Sequence, residues 1–310
     1  MRLSFIKCHG SGNDFPLIDA RDLSLSDAEW AGAARALADR AGPVGGDGLL
    51  ALFAPEPGVI AMRMWNPDGS EAETCLNGLR CVARAGFEAL GIESAPARLK
   101  TSCADVSLDA PLAPGVVTVR ETVGPASLDA RWVGGAERIV DAPIGPLPSV
   151  RAFTAVAMPN PHLVAFVDRV DEAELVALGA ICEAAPDWLP GRANVSFAEV
   201  RGGDLFVRTF ERGVGLTNSC GSAMAAASFA ACLTGRLAYD TPLTVFNAGG
   251  LVRATVARDA MVTLSGNATF EWAGSAEVYF ASGRAGDLIV ERHFGDEIAA
   301  WGALVEGVRR

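Results

Sequence analysis

Asn66-Pro67-Asp68-Gly69-Ser70-Glu71-Ala72-Glu73-Thr74-Cys75-Leu76-Asn77-Gly78 is the stretch around which the rest of the chain can be read. It opens as a turn, since Asn, Pro, Asp and Gly each favour turn geometry for a separate backbone reason. It closes as a helix start. Asn77 to Leu90 carries good helix formers, and Gly91 stands where a C-terminal stop belongs. Cys75 therefore lies just ahead of a helix N-terminus, where backbone N–H groups and the positive dipole end lower a thiol's pKa. Glu211-Arg212-Gly213-Val214-Gly215-Leu216-Thr217-Asn218-Ser219-Cys220-Gly221-Ser222-Ala223 repeats the arrangement 145 residues on (220 minus 75). A glycine-bearing turn again leads to a cysteine, then to a helix over about 222–234 that stops at Gly235. Two such cysteines, each followed by a helix and a glycine stop, point to two related halves facing each other.

The composition bounds what those halves can be. The chain has 310 residues, half of them apolar, which is enough for about two domains with a sizeable core. A formal net charge of −11 argues against a nucleic-acid partner, because phosphate binding needs a basic face. It does not exclude an anionic substrate, since one Arg and two helix termini can hold a carboxylate locally. Seven cysteines, an odd number at irregular spacing, argue against a disulfide framework and for a reducing, cytoplasmic setting. No C-x-x-C occurs and there are only three histidines, so no metal site is expected. The N-terminus shows no apolar stretch of a signal peptide. The longest apolar run, Ala223 to Leu233, is shorter than the roughly 20 residues of a membrane span, so no membrane partner is expected.

The remaining elements fall in order. Leu3 to Cys8 reads as a strand, followed by the glycine loop His9-Gly10-Ser11-Gly12-Asn13-Asp14 and a returning strand from Phe15 to Asp19. Ser26-Asp27-Ala28-Glu29 is a capping box opening a helix to about Arg40. Gly42 to Gly48 is a second glycine-rich turn without the Lys-Ser/Thr of a phosphate loop, and it enters an apolar strand from Leu49 to Phe53. A Gly/Pro-rich passage from Gly124 to Pro148 reads as the connection between halves. The second half then runs from a strand over Phe153 to Met158, through a turn at Pro159-Asn160-Pro161-His162, to a helix capped by Asp171. Strands follow from Asn194 and from Leu205 to Phe210, and a hairpin-like pair closes the half near Leu264. Many short strands with one long helix per half predict an α+β fold. It consists of two pseudo-symmetric halves, each a curved, mostly antiparallel sheet wrapped around a central helix. The expected division is 1–123 with a C-terminal return over about 272–310, and 124–271.

The chemistry follows from the same residues. Asn13, Asn66, Asn160 and Asn194 stand at strand-to-turn junctions, where turn formation alone would also place them. With Glu211 and Arg212 they form a donor and acceptor set suited to an amino acid: Arg grips a carboxylate bidentately and Glu accepts from an ammonium. Two thiols ahead of two helices suit racemisation, which removes a proton from one face of a stereocentre and delivers one to the other. One thiolate and one thiol do this in both directions. Backbone N–H groups at the helix starts can aim at the charge developing on the substrate carboxylate. Cys8, Cys81, Cys103, Cys182 and Cys232 read as small buried hydrophobes.

His9-Gly10-Ser11-Gly12-Asn13-Asp14-Phe15, Gly45-Gly46-Asp47-Gly48, Asn66 to Ser70, Asn160-Pro161-His162, Asn194-Val195, Glu211-Arg212-Gly213 and Cys220-Gly221-Ser222 together resemble the diaminopimelate epimerase family, in order from Leu3 to about Phe280. The resemblance implies the two-half α+β fold and a cofactor-free epimerisation of L,L- to meso-diaminopimelate, on the route to lysine and peptidoglycan. It implies Cys75 and Cys220 as the acid/base pair. It implies Asn13, Asn66, Asn160, Asn194, Glu211 and Arg212 as substrate ligands, with Asn77, Gly78, Gly221 and Ser222 near the reacting carboxylate. The expected partner is a small amino-acid substrate, with a second copy of the chain as homodimer. Two positions depart from the family pattern: Leu76 replaces the usual Gly, and Leu216 the usual Glu. A racemase of another amino acid such as histidine or proline, or a non-catalytic redox sensor, therefore stays open as a reading. Beyond about Ser282 the chain runs past the family's usual end. There, 296–308 places Ile298, Trp301, Leu304, Val305 and Val308 on one helical stripe, which predicts a docked amphipathic helix.

Overall fold

The computed structural model describes residues 1–308. In chain order the elements are β1 (Arg2–Gly10), β2 (Asn13–Asp19), α1 (Asp27–Ala38), β3 (Leu49–Glu56), β4 (Val59–Trp65), α2 (Leu76–Leu90), β5 (Ser94–Arg98), β6 (Cys103–Leu108) and β7 (Thr118–Val123). They continue with β8 (Thr154–Met158), β9 (Asn160–Phe166), α3 (Glu172–Glu183), β10 (Asn194–Arg201), β11 (Asp204–Glu211), β12 (Gly215–Thr217) and α4 (Gly221–Leu233). The last are β13 (Leu243–Asn247), β14 (Gly250–Val256), β15 (Val262–Asn267), β16 (Thr269–Tyr279), β17 (Arg284–His293) and α5 (Gly295–Val308). Backbone proximity divides them into two compact units, 1–121 with 265–310, and 122–264. The second boundary lies before 271, where the sequence placed it, because β16 pairs along its length with β1, from Arg2↔Glu277 to His9↔Thr269.

The two units share one plan. In the first, the antiparallel hairpins β1–β2, β3–β4 and β5–β6 are joined by the parallel pairs β2–β3 and β4–β5. In the second, β8–β9, β10–β11 and β13–β14 are the hairpins, and β9–β10 and β11–β13 the parallel pairs. A parallel pair needs a crossover, usually a helix. Here the crossovers are α1 and α2 in one unit, α3 and α4 in the other. Each cysteine singled out from the sequence is the N-cap of its unit's second crossover helix. One expected turn is shorter than anticipated: Asn160, Pro161 and His162 already belong to β9, and only Pro159 separates Met158 from its partner Asn160.

Side-chain alternation explains the layering of the first unit. Leu49 and Ala51 on β3 face the core built on Trp30, Ala33 and Leu37 of α1. Leu50 and Leu52, pointing the other way, approach Gly78 and Gly86 of α2. The helix α2 is buried over most of its length and touches β1 through β6, and α4 is likewise enclosed against β8 to β11 and β14. Ser26 and Glu29 form the expected reciprocal cap of α1. Asp171 caps α3 by accepting from Ala173 and Glu174 backbone N–H groups. The N-terminal turn of α2 sits so close to β1 that a Cβ on Gly10 would stand 2.6 Å from the Asn77 carbonyl oxygen. A Cβ on Gly78 would stand 2.7 Å from Leu50 Cδ2 and 3.3 Å from the Cys75 sulfur. Cys103 corrects its expectation: it is exposed, while Cys8, Cys81, Cys182, Cys220 and Cys232 are buried.

The C-terminal helix α5 docks on the first unit, but by fewer contacts than the stripe implied. Trp301 is 7% exposed and lies against His9, with ring centroids 5.9 Å apart. Glu297 takes a bidentate pair from Arg84 of α2 at 2.5 and 2.8 Å. Ile298 and Val308 remain exposed, because the apolar stripe is wider than the surface the helix covers. Since Trp301 is the one buried side chain among the described residues of α5, Trp301→Ala is expected to cost about 3 kcal/mol, the usual scale for truncating a buried Trp. Thermal unfolding of the variant checks this. A melting temperature equal to wild type would mean that α5 contributes nothing to the unit it lies on.

Candidate active site

Each unit carries its own cluster of candidate residues. In the first, Cys75 has extended backbone angles (φ −153°, ψ 101°), and its sulfur accepts from the Gly78 backbone N–H at 3.3 Å. The sulfur also lies 3.8 Å from Asn13 Oδ1, which accepts from Asn77 Nδ2 at 3.4 Å. Asn13 Nδ2 donates to Asp47 Oδ2 at 2.6 Å, and Arg40 pairs with both Asp47 and Asp14. Lys7 contacts Asp14 and the Gly45 carbonyl. Burial pushes the Asp14 carboxyl up, but Arg40 and Lys7 outweigh it and hold it below its ordinary value. The structure thus brings Asn13, Cys75, Asn77 and Gly78 together. Asn66 is held in its turn, donating to Ser70 Oγ at 3.0 Å, as turn formation alone would place it. Leu76, which departs from the family pattern, is buried at the first position of α2.

Beneath Asn77 lies a polar cluster that sequence reading missed. Arg80, fully buried, donates to Asn77 Oδ1 at 2.7 Å, to the Asn267 carbonyl at 3.2 Å and to Glu121 at 2.7 Å. Burial raises Glu121 to about 7 in spite of Arg80 beside it. The Asn267 side chain accepts from the Ser11 backbone N–H and donates to His9 and Thr269, so it fixes the loop that carries Asn13. Burial depresses His9 to about 4. The Asn77–Arg80 spacing of one helical turn was a usable signal. Glu121 and Asn267 were not, since only the fold brings them to α2.

In the second unit Cys220 is buried at the start of α4, with the Ser222 hydroxyl 3.5 Å from its sulfur. The sequence predicted a lowered thiol here, and the structure reverses that. Burial first, and the Glu211 carboxylate second, push Cys220 well above its ordinary value, and the Ser222 hydroxyl and Ala223 N–H do not compensate. Thr217 donates to Glu211 at 2.6 Å. Asn194, buried, accepts from the Arg212 backbone N–H at 2.8 Å, so its Nδ2 is the end it can offer a substrate. Arg212 Nη1 donates to the Gly191 carbonyl, and Glu183 of α3 accepts from Gly213 N and Arg192. His162 Nε2 bonds Asn160 Oδ1 at 3.0 Å. Burial, helped by the Arg212 charge, lowers His162 to about 3, so the ring is neutral and donates from Nε2. Cys220, Gly221 and Ser222 thus form one turn, and Asn160, Asn194, Glu211 and Arg212 come from the ends of β9, β10 and β11 with the loop that follows.

The sequence profile of the diaminopimelate epimerase family matches residues 5–109 and 154–271. The diaminopimelate epimerase of Clostridium acetobutylicum is 38% identical over 288 residues, covering 90% of this chain and 86% of the relative. That of Listeria monocytogenes serotype 4b is 36% identical over 327 residues, covering 99% and 97%. Among solved structures, a hydroxyproline epimerase from Agrobacterium vitis superposes with a TM-score of 0.62 at 15% identity, covering 98% of this chain and 97% of its own. A PhzF-family phenazine biosynthesis protein from Bacillus anthracis superposes with a TM-score of 0.63 at 13% identity, covering 90% and 100%. At these identities the likeness is one of fold.

The buried groups give the protein a signed acid response. His162 at about 3 and His9 at about 4 both lie below the unfolded value near 6.5, so the unfolded chain takes up their protons first. The stability they lend is present above about 6.5 and is lost as pH falls towards 4, by about 2 kcal/mol each at pH 5. Glu121 works in the opposite sense, its native value lying above the unfolded one. Melting temperatures between pH 7 and 5 should therefore fall less for His162→Gln than for wild type, and more for Glu121→Gln. Parallel curves for all three proteins would refute both assignments.

Proposed function

Because the chain belongs to the diaminopimelate epimerase family, we propose that it interconverts L,L- and meso-diaminopimelate without a cofactor, using Cys75 and Cys220 as a two-thiol acid/base pair. The observation that carries this reading is 36–38% identity to named diaminopimelate epimerases over nearly the whole chain. The helix N-cap setting of both cysteines supports it.

The roles follow from the local chemistry. A thiolate removes the α-proton from one face of the stereocentre, and the other thiol delivers a proton to the opposite face. Burial first, and the Glu211 carboxylate second, favour the protonated thiol at Cys220, which casts it as a proton donor to the substrate. In the return direction the roles exchange. As the α-proton leaves, charge spreads onto the substrate carboxylate. The N–H groups at Asn77, Gly78, Gly221 and Ser222, in the first turns of α2 and α4, are suited to receive it. Diaminopimelate carries a second amino-acid group at its far end. Arg212 and Glu211 supply a cation for its carboxylate and an anion for its ammonium, with Asn13, Asn66, Asn160 and Asn194 as further ligands.

A reducing, cytoplasmic setting suits a reaction run by two thiols. A homodimer suits the first unit, where Ile289 and Val290 of β17 and Ile298 and Val308 of α5 expose apolar surface. Light scattering at micromolar concentration tests the dimer.

The defining experiment is exchange of the substrate α-hydrogen in deuterated water, run with diaminopimelate isomers, lysine, histidine and proline. Exchange with diaminopimelate and not with the others is expected. Exchange with proline or histidine alone would move the chain to another racemase activity, and none at all to a non-catalytic role. Cys75→Ala and Cys220→Ala should each abolish epimerisation, since either direction uses both groups. Arg212→Lys loses the bidentate fork and is expected to lower kcat/KM for diaminopimelate by about 1.5–3 kcal/mol, the scale of a charge-assisted bond. Unchanged kinetics would remove Arg212 from the substrate's far end.

A further inference from the structure

We propose that Arg80 and Asp47 are positioning residues for the Cys75 half-site: from opposite ends they orient the side-chain amides of Asn77 and Asn13, so that the carbonyl oxygen of Asn13, and not its NH2, faces the Cys75 sulfur. This deepens the reading of Cys75 as a catalytic thiol and rests on it.

The structure holds a directed chain of hydrogen bonds. Arg80 Nη2 donates to Asn77 Oδ1 at 2.7 Å, Asn77 Nδ2 to Asn13 Oδ1 at 3.4 Å, and Asn13 Nδ2 to Asp47 Oδ2 at 2.6 Å. The Cys75 sulfur lies 3.8 Å from the same Asn13 Oδ1. A side-chain amide has one accepting and one donating end of nearly the same shape, so its sense is set by its neighbours. A guanidinium only donates, which obliges Asn77 to turn its oxygen towards Arg80 and its NH2 towards Asn13. An ionised carboxylate only accepts, which obliges Asn13 to turn its NH2 towards Asp47. The two constraints agree, and together they leave Asn13 Oδ1 on the side of the sulfur.

Both ends are themselves fixed. Arg80 is buried between Glu121 and the Asn267 carbonyl. Asp47 takes Arg40 at 2.6 Å on one oxygen and the Asp14 backbone N–H at 3.1 Å on the other. The consequence is chemical. An acceptor beside the sulfur takes the S–H proton or an N–H of a substrate ammonium, and it repels a carboxylate. The half-site is thereby built to receive an amino acid with its ammonium, not its carboxylate, against Asn13. If Asn13 could turn over, its NH2 would instead support a thiolate and attract the carboxylate to the wrong place.

The test uses Asp47→Ala and Asp47→Asn, since the Asp47 side chain is 41% exposed and its loss should leave the fold intact. Two quantities are read on the full chain at neutral pH. One is KM for diaminopimelate, and the other is the rate at which iodoacetamide modifies Cys75, followed on its own peptide by mass spectrometry. Asp47→Ala is expected to raise KM about tenfold and to speed Cys75 modification several-fold. Asp47→Asn, whose side-chain oxygen can still accept from Asn13, should recover most of both changes. The double variant Arg80→Gln/Glu121→Gln, which removes the buried pair together, should move both readouts in the direction of Asp47→Ala. Wild-type values for Asp47→Ala would overturn the proposal. So would Asp47→Asn behaving like Asp47→Ala, because the effect would then belong to the charge network and not to the amide. If no diaminopimelate turns over even in wild type while the modification rates shift as described, the substrate reading fails and the amide orientation stands.

Discussion

Enclosure of the α2 N-terminal turn is the constraint on which the first unit depends. The turn is pressed so close to β1 that a Cβ on Gly10 would meet the Asn77 carbonyl, Gly78 lies against Leu50 of β3, and backbone and side-chain polar groups are trapped there. A buried polar group without a partner costs free energy of the order of 1–3 kcal/mol, so such a turn persists only if its groups are answered. Arg80 answers several at once. It joins α2 to Glu121, to the Asn267 carbonyl and to the Asn77 side chain. A buried ion pair of this kind is weak evidence for net stability, because the desolvation cost offsets the attraction. Its effect is on geometry: segments distant in sequence hold the first turn of α2 in one arrangement.

The second unit meets the same demand differently. Helix α4 is almost wholly small and apolar, so it can be enclosed by β8 to β11 and β14 without buried charge on the helix itself. The charges stand instead on the strand ends and the loop after β11. Glu183, at the C-terminal end of α3, accepts from Gly213 N and from Arg192 and so anchors the loop containing Arg212. Asn194 closes the same loop from β10. One plan of three hairpins and two crossover helices thus carries two unlike chemistries. In the first unit, amides and a cation surround the cysteine turn. In the second, a carboxylate stands beside a buried thiol.

Much of this plan was legible in the residues themselves. The caps at Ser26 and Asp171, the glycine stop at Gly91 and the paired Cys-helix motifs are local signals, and each states its own geometry. The α+β class followed from the strand lengths and the one buried helix per half. The misses share a cause, which is that the deciding partner lies far away in sequence. The place of β16 beside β1 is set by pairing across more than 250 residues. Arg80 reads as an ordinary helix former until Glu121 and Asn267 arrive. The Cys220 thiol reads as a helix-terminus thiolate until burial and Glu211 are known, and these outweigh the Ser222 hydroxyl and the Ala223 N–H. The exposed Ile298 and Val308 show the same limit: periodicity tells which residues share a face, and not how much surface is there to receive them.

For the proposed two-thiol reaction, the unlike surroundings of the two cysteines bear on how the cycle begins. Two identical thiols in identical settings would carry no preference for which holds the proton. Here burial, and after it the Glu211 carboxylate held by Thr217, favours the protonated form of Cys220. The same carboxylate is the group suited to accept from a substrate ammonium. An ammonium bound there would neutralise part of the charge that raises the thiol, so substrate binding itself would bring Cys220 closer to releasing its proton. Burial, the larger cause, would persist and would still disfavour a long-lived thiolate. The proton on Cys220 is then retained until the charge beside it is answered. That order of events requires only the burial of the sulfur and the position of one carboxylate next to it.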